Sequence, residues 1–503
     1  MERRPWRIAV LGGGISGLTA AYTLARARES GAPIEEFLIE ASDRLGGLIQ
    51  TERAEGFVIE AGPDSFLAEK PEAAALCREL GLGDSLIGSN DAGRRTYILH
   101  RGRLVPLPDG LMLMVPTRLW PVLATPLLGW TSKLAIVTEP LRAARGHRAN
   151  GPTNGPAASD ESVSSFVRRH FGRGMVENIA DPLLAGVFGG DSERLSARSA
   201  LPRFWEMERE HGSLTRAVLE ARRRRTAQAN AASAEPAPPL FMTLREGLGA
   251  IVDALRPRLE SSRLCLERRV LVLERRRAEP TGYIIRCEGG GAYEADALVL
   301  ALPAHECARL ISPLDSALGV QLGAIPYTGA LTVALAYGPG VREALPGGFG
   351  FLVPRKEGKR MLACTFVHAK FDHRAPNSHA LLRCFLGGAR DPDTLRRSDN
   401  EIVSTVRREL RAILGLDAEP LFHRIYRWPS AMPQYEVGHA ERVSQIEHRL
   451  DSNPGLFLAG NTYSGIGISD CIRTGRTAAT KAVGLATEAQ RHGAAKQESS
   501  SPS

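Results

Sequence analysis

The stretch Arg7–Leu18, RIAVLGGGISGL, decides the fold. Ile8 to Leu11 is an apolar, β-type run that feeds directly into glycines. Ala/Leu-rich helical sequence follows from Ile15 to Ala27. Gly12, Gly14 and Gly17 have the G-x-G-x-x-G spacing of a dinucleotide-binding turn. The first glycine turns the chain, the second admits a pyrophosphate to the backbone, and the third lets helix and strand pack closely. Gly13, Ile15 and Ser16 complete the candidate cradle. A second strand, Glu36 to Ile39, ends in Glu40 with Ala41 beside it. An acid roughly 20 residues past such a turn is placed to hold a ribose hydroxyl. Ser42 to Gly47 then reads SDRLGG, which indicates another close approach of backbone to phosphate at Gly47 and Leu48, with Arg44 as charge partner.

That second Gly-rich contact is common in FAD proteins of the glutathione-reductase-like superfamily. The order G-x-G-x-x-G, Glu, R-x-G-G resembles its amine-oxidase-like branch. The resemblance implies an α/β fold with α+β insertions and FAD as cofactor. It further implies a discontinuous Rossmann-like FAD domain, a mixed-sheet substrate domain and a helical, membrane-associating insertion.

A chain of 503 residues exceeds one ordinary core, so two or three domains are expected. Hydrophobic residues at 43% and charged residues at 24% fit a globular protein. The net charge of +8 suits an anionic lipid surface or an acidic substrate. No zinc-finger or RNP-like signature accompanies it, so nucleic acid is not an expected partner. Cys77, Cys265, Cys287, Cys307, Cys364, Cys384 and Cys471 form no C-x-x-C pair. Most lie in apolar runs, as buried free thiols do in a reducing compartment. The first residues read straight into a strand, so no signal peptide is expected, and no run approaches the ~20 apolar residues of a spanning helix. The expected location is the cytoplasm, peripheral to the membrane.

The FAD domain is expected in three pieces, 1–93, 240–302 and 422–488. Leu244–Leu259 reads as a helix; Arg263–Glu267, Val270–Glu274, Tyr283–Cys287, Ala295–Pro303 and Gly455–Gly460 read as strands or strand ends of one sheet. Residues 94–207 form a first insertion. Its segments LMLMVP, LWPVLATPLLGW and KLAIVTEPL are apolar, broken by prolines, and carry Arg118 and Lys133. Prolines at this density end helices early, so several short amphipathic helices are expected, with cations at lipid headgroups. Residues 303–421 alternate apolar and polar residues in short runs, which indicates a mixed or antiparallel sheet with one pocket-forming face. Residues 145–159, 222–239 and 490–503 read as flexible.

At the C-terminal end, LAGNTYSGIGISDCIRTGRTAA runs from Leu458 to Ala479. A helix beginning near Ser469 would aim its N–H groups and positive dipole end at a flavin. With this stretch the chain resembles the oxygen-dependent protoporphyrinogen oxidases and their coproporphyrinogen-oxidising relatives. GGGISGL with LIEASDRLGGLIQT, GPDSF at Gly62–Phe66, DPLLAGVFGGDSERLS at Asp181–Ser196 and AGNTYSGIGISDCI carry the likeness. It implies FAD-dependent oxidation of protoporphyrinogen IX to protoporphyrin IX in haem synthesis. Three hydride transfers to the flavin would occur, with dioxygen as acceptor and hydrogen peroxide as product. Coproporphyrinogen III is the alternative substrate.

By motif, the likeness puts Gly62, Pro63, Asp64 and Ser65 beside the flavin, together with Trp428, Gly460, Asn461, Ile466, Gly467 and Ile468. Val270 would meet the adenine. Phe385 resembles the stacking aromatic of the substrate pocket, Leu352 the opposing aliphatic wall, and Gly189 with Gly190 the backbone lining. Arg95, in GRRTYILHRG, is the candidate for the propionate, although Thr96 separates it from Tyr97 where that family places an arginine directly before an aromatic. No protein catalytic residue and no metal is expected. His305, His368, His373 and His439 are isolated. A homodimer is left open. A flavin amine oxidase, a carotenoid desaturase and a non-catalytic FAD-fold binding protein are the remaining alternatives; the GVFGGD stretch and the two intact Gly-rich ends weigh against them.

Overall fold

The computed structural model describes residues 4–150, 160–229, 238–259, 263–276 and 282–498. Its nucleotide-type sheet has five parallel strands in the order Arg263–Cys265, Ile34–Ile39, Trp6–Leu11, Ala297–Leu300, Leu456–Leu458. Along Trp6–Leu11, Ile8 and Val10 enter one core cluster while Ala9 and Leu11 enter the opposite one. Burial on both faces explains why this strand is continuously apolar and not alternating. Each such aliphatic side chain contributes about 1.5–3 kcal/mol by leaving water.

The helix Ile15–Glu29 covers one face and packs on the C-terminal helix Ile468–Glu498. Small residues permit a close crossing: a Cβ on Gly475 would stand 2.3 Å from the Ser16 carbonyl oxygen. Ala478, Ala479, Ala482 and Ala486 continue the same buried stripe.

The strands Val270–Arg276, Gly282–Cys287 and Ala292–Ala295 do not join this sheet; they form a separate antiparallel one. The helix expected from Leu244 begins only at Gly249. Phe241–Leu244 pairs as a strand with Leu86–Gly88, and Gly247 turns the chain at φ +98°.

A seven-stranded mixed sheet runs Phe422–Pro433, Tyr327–Tyr337, Ala380–Gly387, Ala363–Phe366, Gly350–Leu352, Thr96–His100, Arg103–Pro106. Two strands from the segment expected to be helical, Thr96–His100 and Arg103–Pro106, thus belong here, as does Phe422–Pro433, which the sequence had set in the nucleotide part. One face of the sheet packs on a helical layer whose core includes Val122, Ile136, Phe166, Phe171, Ile179 and Leu184, joined by Ile98 and Leu352 of the sheet.

Pro140 lies inside the helix Trp130–Asn150 and does not end it. The preceding Glu139 is buried and fixed by His170 Nδ1, by the Ser213 hydroxyl and by Leu214 N at 3.0, 2.8 and 3.0 Å. Tertiary anchoring here outweighs the proline's local preference.

The stretches read as flexible are partly helical. Residues 145–150 continue Trp130–Asn150, 222–229 continue Leu214–Ala229, and 490–498 continue Ile468–Glu498. Residues 151–159, 230–237 and 499–503 of those stretches lie outside the described residues. All seven cysteines are free thiols, six of them buried and Cys265 intermediate. Among the described residues no helix is long and apolar enough to cross a membrane.

Candidate flavin and substrate site

The turn after the first strand is built by glycines that tolerate no side chain. Gly12 has φ +105°, and a Cβ on it would stand 2.5 Å from Ala301 O. On Gly17 it would stand 1.9 Å from Gly12 O, so helix and strand are in backbone contact there. Gly14 differs. It is the N-cap of Ile15–Glu29, no side chain caps that helix, and its Cβ direction meets only Gly47 Cα at 4.0 Å. The first-turn amides of a helix have no intrahelical acceptor, so Gly14, Ile15, Ser16 and Gly17 present an open anion cradle.

Glu40 ends its strand beside this turn. Its Oε2 accepts from Gly13 N at 2.6 Å, and its Oε1 accepts from Ser42 N and the Ser42 hydroxyl, both at 2.8 Å. These bonds leave further lone pairs for a diol. Ala41 is exposed next to it. The Arg44 guanidinium donates to its own loop, to Gly47 O at 2.6 Å and Ile49 O at 3.4 Å. It therefore braces the second glycine loop from within, in addition to any phosphate it meets.

Gly46 N donates to Gly13 O at 2.8 Å, and a Cβ on Gly62 would stand 1.9 Å from Leu48 O. Thus the loops at 12–17, 44–49 and 61–65 form one continuous wall. Val270 opens its strand buried, its carbonyl taking a bond from Arg309 at 2.8 Å.

The Ala61–Ser65 loop is the junction with the seven-stranded sheet. Lys370 Nζ lies 3.1 Å from both Asp64 carboxylate oxygens and from the Ser65 hydroxyl. Burial pushes the Asp64 carboxyl up, but Lys370 and Arg383 outweigh it and hold the group well below the usual carboxylate range. Trp428 Nε1 and the Thr332 hydroxyl both donate to Ala61 O at 3.0 Å, and Arg383 donates to Gly62 O. Pro63 is half-buried within this loop.

Strand register places the substrate-side candidates. Tyr426, Thr332, Phe385, Ala363, Leu352 and Ile98 are successive cross-strand partners, so they form one row on one face. Phe385 and Leu352 sit in that row with the small Ala363 between them. The gap is two strand spacings, about 9–10 Å. Both side chains are half-buried.

The end of the helix Asp181–Phe188 closes against this row. A Cβ on Gly186 would lie 3.5 Å from Leu352 Cδ2. Gly189, at φ +58°, accepts from Ala389 N at 2.7 Å, and a Cβ on Gly190 would collide with Gln434 Oε1 at 2.5 Å. Backbone at Gly189 therefore meets the end of the Phe385 strand directly, while Gly190 packs against Gln434 and Leu195.

The third element is the loop before Ile468–Glu498. Tyr435 OH donates to Asn461 O at 2.6 Å and accepts from Gly465 N at 3.0 Å. Burial drives that phenol far up, so it stays protonated and keeps the loop drawn together. Gly460 takes φ +134° with open space in its Cβ direction. Ile466 reaches the helical core, Gly467 N lies 3.3 Å from Asp470, and Ile468 begins the helix. Asp470 is itself paired with Lys70 at 2.6 Å.

Arg95 is not brought into the Phe385–Leu352 row. It lies just before Thr96–His100 and is exposed; its carbonyl accepts from Phe349 N at 2.8 Å. Thr96, not Tyr97, shares the face of Ile98, as alternation requires. Arg94 and Arg95 form no ion pair among the described residues, so their charge is available to a ligand. Sequence reasoning passed over Lys370, Arg383, Thr332 and Tyr435. Only Arg383 left a signal, as a lone cation inside the apolar strand ALLRCFLG.

The cradle, the acid at its edge and the facing sheet fit FAD. Gly14 with the helix amides would hold its pyrophosphate, Glu40 its ribose and the 61–65 and 460–468 loops its ring system. Residues 15–483 match the family described as flavin containing amine oxidoreductase. The chain is 32% identical to the coproporphyrinogen III oxidase of Bacillus subtilis over 478 residues, covering 95% of this chain and 97% of that protein. It is 30% identical to the chloroplastic protoporphyrinogen oxidase of Nicotiana tabacum, covering 95% and 85%. The crystal structure of a protein from Exiguobacterium sp. 255-15, titled a putative protoporphyrinogen oxidase, superposes with a TM-score of 0.81 at 30% identity, over 95% of this chain and 98% of that one. This chain is an FAD-dependent oxidoreductase, and it belongs to the flavin containing amine oxidoreductase family, in the group that holds the coproporphyrinogen III and protoporphyrinogen oxidases.

Proposed function

We propose that this protein oxidises a porphyrinogen macrocycle to the porphyrin in haem synthesis, with dioxygen as final acceptor. FAD, held by the Gly14 cradle, Glu40 and the 61–65 and 460–468 loops, would supply the two-electron redox chemistry of the three rounds, with dioxygen as oxidant and hydrogen peroxide as product. The observation that carries the reading is the row in which Phe385 and Leu352 flank Ala363. A flat apolar ring enters that gap between an aromatic and an aliphatic wall. Gly189 and Gly190 line it through backbone, which keeps the approach narrow. Trp428 and the 61–65 loop bound its flavin side. No proton-transferring side chain is required of the protein; its work is orientation and exclusion of water.

The exposed, unpaired Arg94 and Arg95 favour a substrate with several carboxylates, as does the match to the Bacillus subtilis relative along nearly its whole length. Coproporphyrinogen III therefore ranks ahead of protoporphyrinogen IX. The test presents each porphyrinogen to the purified protein without oxygen, then admits oxygen and follows porphyrin fluorescence and peroxide. Faster turnover of protoporphyrinogen would reverse the order, and oxidation of neither would overturn the reading.

The same reading includes a membrane surface as a peripheral partner at the cytoplasmic side. Trp130, Leu134, Val137 and Leu141 recur at helical spacing on one exposed stripe, with Trp120 nearby; Trp130 is 87% exposed. Lys133 lies 5.6 Å over the Trp130 ring. Exposed tryptophans with adjacent cations suit the headgroup boundary of an anionic bilayer. Co-sedimentation with vesicles containing anionic phospholipid tests it. Failure to sediment, or self-association through this stripe, would set a second copy in place of the lipid.

A further inference from the structure

The strand Ala380–Gly387, ALLRCFLG, has one cation in a buried apolar run. The Arg383 side chain is 5% exposed. Its cross-strand neighbours Ala334 and Thr365 are small, and Gly350 stands one strand beyond Thr365. That leaves the guanidinium room to lie along the sheet. Arg383 and Phe385 are two apart and share a face, and the guanidinium carbon stands 4.8 Å from the Phe385 ring centroid. The same group donates to Gly62 O and lies 3.4 Å from Ala61 O and 3.9 Å from Asp64.

We propose that Arg383 is a positioning residue that clamps the Ala61–Ser65 loop to the wall carrying Phe385, and so fixes the spacing between flavin and macrocycle. The proposal rests on the reading of that loop as flavin-side and of Phe385 as substrate-side. Desolvating a guanidinium is costly, and an apolar side chain of similar volume avoids the cost. A fold that only needed the space filled gains nothing from the charge. The partners here are two carbonyls of one loop, a carboxylate of that loop and the face of the substrate aromatic. Three strands converge on the same carbonyl region, through Trp428, Thr332 and Arg383. Thr332 is the cross-strand neighbour of Phe385, but Arg383 is the one that sets a charge against the Phe385 ring. Its planar fork lies against the ring while its N–H groups reach the loop, a geometry that the compact lysine ammonium does not reproduce.

The test compares the FAD-loaded full-length protein with Arg383→Met and Arg383→Lys. Three quantities are read: amide hydrogen exchange at residues 61–65, the melting temperature, and kcat and KM on whichever porphyrinogen is oxidised. In Arg383→Met, exchange at 61–65 should rise ~10-fold or more while distant strands keep their protection. Its kcat should fall ~10–100-fold with KM within ~3-fold, since ~1 Å of misplacement suffices for such a loss. Arg383→Lys, which retains charge but not the fork, should recover only part of both. Wild-type exchange and kcat in Arg383→Met would overturn the proposal. So would a uniform loss of protection across the sheet, with kcat falling only as the folded fraction does. If the methionine variant does not fold, the lysine variant decides alone, and wild-type values there overturn the clamp. If the unaltered protein oxidises no porphyrinogen, the substrate reading fails, while exchange at 61–65 still decides whether Arg383 holds the loop.

Discussion

At Gly14 the missing side chain matters for what comes from outside. A Cβ at Gly12 or Gly17 strikes the protein's own backbone, so substitution there breaks the turn; at Gly14 it meets only Gly47 Cα at 4.0 Å. Gly14→Val should therefore fold and yet lose flavin, reading as colourless protein with a near-normal circular dichroism spectrum. A variant that stayed fully yellow would remove the cradle from the cofactor. Arg95→Ala tests the opposite end of the ligand. Although Arg95 lies outside the Phe385–Leu352 row, if this exposed cation meets a substrate carboxylate its loss should raise KM ~10-fold with kcat nearly unchanged, the signature of binding shared by ground and transition states. Unchanged kinetics would hand the carboxylate to Arg94 or another cation. The glycines were legible because their spacing encodes a local geometry. Arg383 and Lys370 were not, because their partners Gly62 and Asp64 lie more than 300 residues away in sequence. Periodicity carries no information on such pairs.

Among the elements, the apolar strand entering the turn and the helix after it could be read directly, since both have strong local patterns. The insertion was harder. Tyr97 to Leu104 is too short and too mixed to reveal that it pairs with strands some 250 residues later. Pro140 misled for a related reason, because a buried ion network overrides it. That network gives a pH dependence. Burial lowers His170, but its hydrogen bonds to Glu139 and Glu208 outweigh this and raise the imidazole above its usual value. A raised histidine stabilises fully below its unfolded value, and the contribution is lost as pH rises through the folded one. Glu208, held down to about 2, and the lowered Glu139 behave oppositely, losing their contribution only in acid. The stability of the helical layer should thus decline as pH rises above the ordinary histidine value of about 6.5. His170→Ala should flatten that decline and lower stability by ~3–5 kcal/mol on its acid side, where Glu139 is left buried with its charge uncompensated, with the gap narrowing as pH rises. An equal slope in both proteins would assign the pH dependence elsewhere.

For the molecule as a whole, the nucleotide sheet draws strands from residues 6–11, 34–39, 263–265, 297–300 and 456–458, so its closure waits on chain separated by the other layers. The residues proposed to hold the cofactor are spread in the same way, over the 12–17, 44–49, 61–65 and 460–468 loops, which only the completed fold brings together. A ligand bound to such a site stabilises the folded state and has no counterpart site in the unfolded chain. FAD removal should consequently lower the melting temperature of the entire assembly, including the helical layer. At free FAD of ~100 times its dissociation constant the gain is about 2.7 kcal/mol. At roughly 2–4 °C per kcal/mol for a cooperative unit of 150–250 residues, that amounts to a shift of about 5–11 °C, and to less if the whole chain melts as one unit. Scanning calorimetry of holo- and apoprotein checks this, and the informative variable is which transitions move. If stripping the flavin shifts one early transition and leaves a later one fixed, the seven-stranded sheet and helical layer melt on their own, and the loop at 61–65 is not a rigid junction. If all transitions shift together and return on adding FAD, the cofactor, the loop and the substrate face form one cooperative body, as the shared contacts of Ala61, Trp428, Thr332 and Arg383 require.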